Sequence, residues 1–175
     1  SQVTADTRWN DVIKTVYDTI DNALNSANGN TTNGLVPAWC NSDGAPSSPG
    51  NYQYDSCRTP FRIGLDWCLF AEPRAKAYVA KTSGFFSAIG ASKIADGYNL
   101  NGSPMPEHSG QGSAAFIGPA GVGAMSDPTF SSFMNQTYTS VAAGNLMAGG
   151  VYYEESWTVM SLLMMSGNFL DYTKL

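Results

Sequence analysis

Charge is scarce in this chain. Of 175 residues only 9 are Lys or Arg and 14 Asp or Glu, so charged residues make up 13%, about half the ~25% usual in soluble domains. The net charge is −5 and no basic stripe runs through the sequence, which excludes the clustered Lys and Arg that nucleic-acid binding rewards. No run of ~18 apolar residues is present, so nothing reads as a membrane span. The single histidine, His108, lies in a loop-like stretch. It supports neither a metal centre nor Ser-His chemistry, and no cofactor motif is found.

Three cysteines are too few for a disulfide scaffold and too scattered for a zinc site. On one helix Cys57 and Cys68 would stand roughly 16 Å apart. Only a Cys40–Cys57 bond stays open, with buried free thiols the equal alternative.

With so little charge, Asn, Ser, Thr, Gly and Tyr must cover the surface. Such a neutral, hydroxyl- and amide-rich coat suits sugars and is common in extracellular bacterial proteins. The expected location is therefore secreted, extracellular or periplasmic. Ser1 to Asp6 are polar and form no signal peptide, so any secretion signal is expected upstream. The length suits one domain with a real core.

Apolar spacing then gives the architecture. Trp9, Val12, Ile13, Val16, Tyr17, Ile20, Ala23 and Leu24 follow the i, i+3, i+4, i+7 pattern of an amphipathic helix. Asp6 or Thr4 can cap it, and Asn28-Gly29-Asn30 stops it. From there to Thr59 the chain reads as loop, and a loop that long is usually functional or disordered. Its aromatics Trp39, Tyr52 and Tyr54 argue for order. Thr59-Pro60 reads as an N-cap with Pro at the first helical position, opening a helix to about Phe70 with Ile63, Trp67 and Phe70 on one face. Glu72-Pro73 restarts a helix that Phe85, Phe86 and Ile89 carry to Gly90. A Gly- and Pro-rich loop, residues 91 to 112, precedes a small-residue helix from Ser113 to Met125. Asp127-Pro128 caps the next one, with Phe130, Phe133, Met134, Tyr138 and Val141 periodic. After Gly149-Gly150, the last helix, Tyr153 to Ser166, is apolar on nearly all sides and is expected to be buried. The prediction is an all-α fold of about six helices whose long loops gather at one mouth. Trp9, Trp67 and Trp157 fall on helical periods and are expected in the core.

The densest chemistry lies between Asn51 and Arg62. Asp55, just before a helix start, is expected to meet unpaired backbone N–H groups and the positive end of the helix dipole. Arg58 can hold it charged and oriented, which is what a general base activating a water needs. From spacing alone, Asp55 as a plain cap with Arg58 as its surface partner remains an open alternative. Arg62 and Asp66, four apart, can form a supporting ion pair. Glu72, Glu107, Glu154 and Glu155 read more readily as helix-start or loop carboxylates than as a catalytic acid.

Tyr54-Asp55-Ser56-Cys57-Arg58-Thr59-Pro60-Phe61-Arg62-Ile63 resembles the Y-D-A-C-R-x-P-W-R-I segment of glycoside hydrolase family 8. Three more stretches fall in that family's order. They are Leu35-Val36-Pro37-Ala38-Trp39-Cys40, the small-residue helix from Ser113 to Asp127, and Tyr152-Tyr153-Glu154-Glu155-Ser156 through Ser166-Gly167-Asn168-Phe169. The resemblance implies half of an (α/α)6 barrel of twelve helices, residues 1–175 forming the C-terminal half of a catalytic domain. It implies hydrolysis of β-1,4-linked polysaccharides, cellulose or mixed-linkage β-glucan, with inversion. By position Asp55 would be the general base, flanked by Tyr54 and Arg58. The family's acid is a Glu in an S-E-G motif, and no S-E-G occurs here.

Inversion needs an acid and a base about 6.5–9.5 Å apart, so the chain alone is expected to be inactive. A second polypeptide or chain segment would supply the other helices and the acid. Trp39, Tyr54, Tyr152 and Tyr153 are candidate sugar-stacking residues at matching positions. A non-catalytic carbohydrate-binding protein on the same fold is the alternative. Half a toroid would leave apolar surface uncovered, which predicts a large hydrophobic interface.

Overall fold

A computed structural model describes residues 5–108, 110, 112–144 and 151–171. Six α-helices appear among them: α1 (Arg8–Ala23), α2 (Thr59–Phe70), α3 (Pro73–Ile89), α4 (Ala114–Ala124), α5 (Ser131–Ala142) and α6 (Tyr152–Met165). Single 3-10 turns stand at Ala91–Lys93, Pro106–His108 and Pro128–Phe130. No strand forms among the described residues; backbone pairing outside helices is limited to isolated bridges such as Tyr52 with Tyr98. Periodicity thus locates the helices to within one or two residues, the usual scatter of helix ends, except at the start of α5, where the expected first turn after Asp127 is the 3-10 turn Pro128–Phe130.

The helix starts show why. Asp6 accepts from the Arg8 N–H at 3.0 Å, while Thr4 lies outside the described residues. Glu72 accepts from the Arg74 N–H at 3.0 Å, and Asp127 from the Thr129 N–H at 2.9 Å. Each of these carboxylates serves one of the first helical donors, which have no partner within the helix. The α2 start differs from expectation. Its N-cap is Arg58 and Thr59 is already helical, because the preceding residues coil early: the Cys57 N–H reaches the Gln53 carbonyl and the Thr59 N–H the Ser56 carbonyl, both at 2.9 Å. The Gly149-Gly150 signal before α6 lies outside the described residues.

The core centres on α4. Every one of its residues is buried, and α2, α3, α5 and α6 all pack on it. Small side chains permit this: a Cβ on Gly118 would sit 2.4 Å from Ser161 Oγ of α6, and one on Gly121 2.1 Å from Thr137 Oγ1 of α5. A second cluster joins α1 to α2 and α3 through Tyr17, Ala23, Ile63, Tyr78 and Val79. There the Tyr17 hydroxyl bonds Asp66, and the Arg74 guanidinium lies 4.5 Å from the centre of the Tyr17 ring. Asp66 is therefore engaged by Tyr17, and no Arg62–Asp66 ion pair forms among the described residues.

Two expectations about burial fail, for one reason. Trp157 is buried and Trp67 half-buried under Lys76. Trp9, however, is exposed, and with Val12, Ile13 and Val16 it forms a stripe 41–51% exposed. Likewise α6 buries Glu154, Trp157, Ser161, Met164 and Met165 but leaves Val159 and Leu163 exposed. Phe70 of α2 is exposed as well. These faces are apolar in sequence, but no described residue covers them.

All three cysteines are free. Cys57 is buried, whereas Cys40 and Cys68 are exposed. The Cys40–Cys57 bond does not form, and burial of free thiols holds for Cys57 alone. Its Sγ lies 3.2 Å from the Tyr54 carbonyl and 3.9 Å from the Tyr153 hydroxyl.

Candidate active site

Asp55 sits in the turn that feeds α2. Ser56 ties that turn: its Oγ accepts from the Gln53 N–H at 2.9 Å and donates to the Gln53 carbonyl at 3.1 Å. The Asp55 side chain stands 45% exposed, with each oxygen held by a different donor. Arg58 Nη2 donates to Oδ1 at 2.6 Å, and Arg58 Nε to the Asp55 carbonyl at 3.0 Å, so one guanidinium grips side chain and backbone together. Trp39 Nε1 donates to Oδ2 at 3.0 Å. Charge-assisted and ring N–H donors in fixed directions orient a carboxylate better than a water shell does. No side chain caps α2, so Asp55 is not the helix cap that its sequence position suggested. Its holders are Arg58 and Trp39.

Trp39 reaches Asp55 because its loop is pinned on both sides. The Ala38 N–H donates to the Asn51 carbonyl at 2.8 Å, the Trp39 N–H to the Pro49 carbonyl at 3.1 Å, and the Ser47 N–H to the Trp39 carbonyl at 2.9 Å. One edge of the indole is thereby spent on Asp55 while the side chain stays 55% exposed.

Tyr54 is clamped from below. Its ring meets Phe116 of α4 edge-on at 5.2 Å and Tyr153 of α6 at 5.8 Å. Its carbonyl accepts the Tyr153 hydroxyl at 2.8 Å, and its own hydroxyl points to Asp96 Oδ2 at 3.4 Å. Burial, and after it the nearby Asp96 and Glu154 carboxylates, push the Tyr54 phenol up to about 12. Burial also pushes the Tyr153 phenol upward and the Cys57 thiol up to about 12. These groups stay protonated donors at any working pH.

Glu154 turns out to be a cross-helix cap. Buried in the first turn of α6, it accepts from Ser113 Oγ at 2.8 Å and from the Ala115 N–H at 3.1 Å, closing the N-terminus of α4. Of the residues singled out in the sequence, Asp55, Arg58, Trp39, Tyr54 and Tyr153 form one connected cluster. Tyr152 is 84% exposed, and no hydrogen bond or ring contact joins it to that cluster among the described residues. Phe116, from the small-residue helix, also belongs to the cluster, and so does Asp96, which carries no local motif. The signal for Asp96 is long-range, the pairing of Tyr52 with Tyr98 across 46 residues.

Among the described residues no group of three or more His, Cys, Asp or Glu could hold a metal ion. No described helix is long and apolar enough to cross a membrane.

Comparison with known proteins bears on the family and the fold. Endoglucanase A of Acetivibrio thermocellus is 34% identical over 171 residues, covering 97% of this chain and 34% of that protein. The beta-glucanase of Niallia circulans is 35% identical over 183 residues, covering 97% of this chain and 43% of its own. The chain thus spans well under half the length of the curated relatives it matches. A solved apo structure of a beta-1,3-1,4-glucanase from Paenibacillus sp. X4 superposes with a TM-score of 0.81 at 31% identity, over 97% of this chain and 46% of that one. A xylobiose complex from Teredinibacter turnerae, only 20% identical, shares the fold with a TM-score of 0.75 over 93% of this chain and 41% of that one. Six helices matched to less than half of such structures make this half of an (α/α)6 barrel. The family model for glycosyl hydrolases family 8 matches residues 2–167, and this chain belongs to that family.

Proposed function

We propose that this chain supplies the general base of an inverting hydrolase that cleaves β-1,4 bonds in cellulose or mixed-linkage β-glucan. The observation that carries this reading is the Asp55 carboxylate, half-exposed and fixed by Arg58 at 2.6 Å and Trp39 at 3.0 Å. Its remaining lone pairs face solvent, where a water can be held and deprotonated as it attacks the anomeric carbon. The relatives named endoglucanase and beta-glucanase support this substrate class.

Inversion requires an acid on the far side of the scissile bond, with room for that water between base and sugar. None of the glutamates here is placed for that role. Glu72 caps α3 and pairs with Arg74, and Glu154 caps α4. Glu107 stands exposed on a 3-10 turn, and Glu155 is exposed in the first turn of α6. The acid therefore comes from a second polypeptide or chain segment carrying the other half of the barrel, this chain being the C-terminal half. The exposed stripe of Trp9, Val12, Ile13 and Val16 on α1 and, separately, Val159 and Leu163 on α6 are the surfaces that segment covers, since exposed apolar area of this kind marks an interface.

In the sugar cleft the exposed Trp39 and Tyr152 offer ring faces, and Arg58 and Tyr54 border the reacting water. Tyr153 acts from beneath, through the Tyr54 carbonyl. The low charge and amide-rich surface support a secreted, extracellular or periplasmic location.

The test uses the completed barrel, this chain together with its other half. Asp55→Asn is expected to lower reducing-sugar release from soluble β-glucan by about 10²–10⁴-fold, while the parent releases the inverted anomer by NMR. Full activity in Asp55→Asn would remove Asp55 as the base.

A further inference from the structure

The loop after α3 brings a second carboxylate to the site. Tyr52 and Tyr98 exchange both backbone bonds, N–H to carbonyl at 2.9 Å in each direction. They form one antiparallel rung. That single rung brings the two segments together, so that Tyr54, two residues after Tyr52, and Asp96, two residues before Tyr98, come within side-chain reach of each other.

The same loop is held at three further points. The Ala95 N–H donates to the Tyr98 hydroxyl at 2.7 Å, the Asp96 N–H to the Gly110 carbonyl and the Met105 N–H to the Gly97 carbonyl at 3.0 and 3.1 Å. Asp96 is consequently a fixed group, 7% exposed. Its Oδ2 faces the Tyr54 hydroxyl at 3.4 Å. Its Oδ1 is buried with no partner among the described residues, so no described cation competes for this carboxylate.

A phenol has one proton to give. With that proton directed at Asp96, the Tyr54 oxygen offers only lone pairs to any other group. Resting on the reading of Asp55 as the base, we infer that Asp96 is a positioning residue for the hydrolysis. It acts through the Tyr54 hydroxyl, fixing both the tilt of the ring beside Asp55 and its role as a hydrogen-bond acceptor. The buried carboxylate, the ring contacts to Phe116 and Tyr153 and the Tyr153 bond to the Tyr54 carbonyl together hold this residue by hydroxyl, ring and backbone. Asp55, next in the chain, inherits that rigidity.

A double-mutant cycle on the completed barrel, read as kcat and KM on soluble β-glucan, tests this. Asp96→Ala and Tyr54→Phe are each expected to lower kcat about 10- to 100-fold with KM within about threefold. In the Tyr54→Phe background, Asp96→Ala is then expected to change kcat by less than about twofold, because the group it acts through is gone. Asp96→Asn, which keeps an acceptor oxygen, should restore most of the loss. Should Asp96→Ala fail to fold, Asp96→Ser, polar but too short to reach the phenol, takes its place in the cycle. Equal loss from the Asp96 substitution in both backgrounds, or no recovery with Asn, would overturn the inference and leave Asp96 as a loop brace. Asp55→Asn is measured alongside. If it stays active, the base assignment has failed; if it is inactive while the cycle is additive, only the role of Asp96 has failed.

Discussion

α1 and α4 are opposites. α1 has the clearest amphipathic pattern in the chain, yet Trp9, Val12, Ile13 and Val16 lie open to solvent. α4 has almost no pattern, being Ala, Gly, Ile, Val, Phe and Pro, yet all eleven of its residues are buried. A period states which face of a helix is apolar. Burial depends on what lies opposite, and here four helices surround α4, while α1 packs on α2 and α3 only through the Tyr17–Leu24 end of its apolar face and leaves Trp9 to Val16 open. This chain folds around α4 and presents the N-terminal part of α1's apolar face outward.

The largest effect is expected at α4. A Cβ at Gly121 would lie 2.1 Å from Thr137 Oγ1 and 2.7 Å from Met165 Sδ, so Gly121→Val must push α5 and α6 apart at once. Overpacking of this kind is expected to cost roughly 3 kcal/mol or more, a large share of a typical domain's stability. Loss of the cooperative urea transition in the completed barrel is the expected result. A fully stable Gly121→Val would mean that α4 is not the packing centre.

The next largest effect is at α1. Trp9→Ala is expected to leave the fold of this chain nearly unchanged, since surface substitutions usually fall within about 0.5 kcal/mol. It should instead weaken association with the other half of the barrel by roughly 2–4 kcal/mol, readable by titration calorimetry of the two halves. An unchanged affinity would place that half elsewhere.

The same contrast explains what could be read from sequence. Helix positions followed from local signals, namely apolar spacing, Glu72-Pro73 and Asp127-Pro128 at the starts, and glycine at the stops. The Asp55–Arg58 pair was legible because three residues separate them. The indole bond from Trp39, sixteen residues away, was not, nor was Asp96 beneath Tyr54, because loop pairing between residues 52 and 98 leaves no periodic trace. Burial of Trp9 and α6 was misjudged because apolar periodicity does not say whether the partner belongs to the same segment. Glu154, read as a helix-start charge for its own α6, caps α4 instead.

The cysteines sharpen the contrast on a smaller scale. Cys57 is held in the core with its thiol pushed up to about 12 by burial, while Cys40 and Cys68 are exposed. An acid whose folded-state pKa is raised stabilises the fold fully below its unfolded value and loses that contribution as pH climbs toward the folded value. The Cys57 contribution to stability is therefore expected to fall by about 1–2 kcal/mol between pH 8.5 and 10, a loss missing from Cys57→Ala. The partly desolvated Cys68 thiol and the buried Tyr52, Tyr78 and Tyr98 phenols shift in the same direction, so part of the slope persists. Urea midpoints at the two pH values measure it. A slope identical in Cys57→Ala would show that the thiol is not sequestered.

The smallest effect belongs to the polar side of α1. Lys14 and Asp18 pair one turn apart, with their side chains 69% and 52% exposed. Such exposed pairs contribute little, because water and salt screen them and two long side chains must be ordered to form them. Asp18→Asn should change stability by less than about 0.5 kcal/mol, and association with the other half not at all. If α1 is held in place by its apolar face, removing this charge will be silent where Trp9→Ala is not. A loss in Asp18→Asn comparable to that of Trp9→Ala would mean that charges, rather than the uncovered stripe, anchor the helix, and the contrast with α4 would have to be drawn on other grounds.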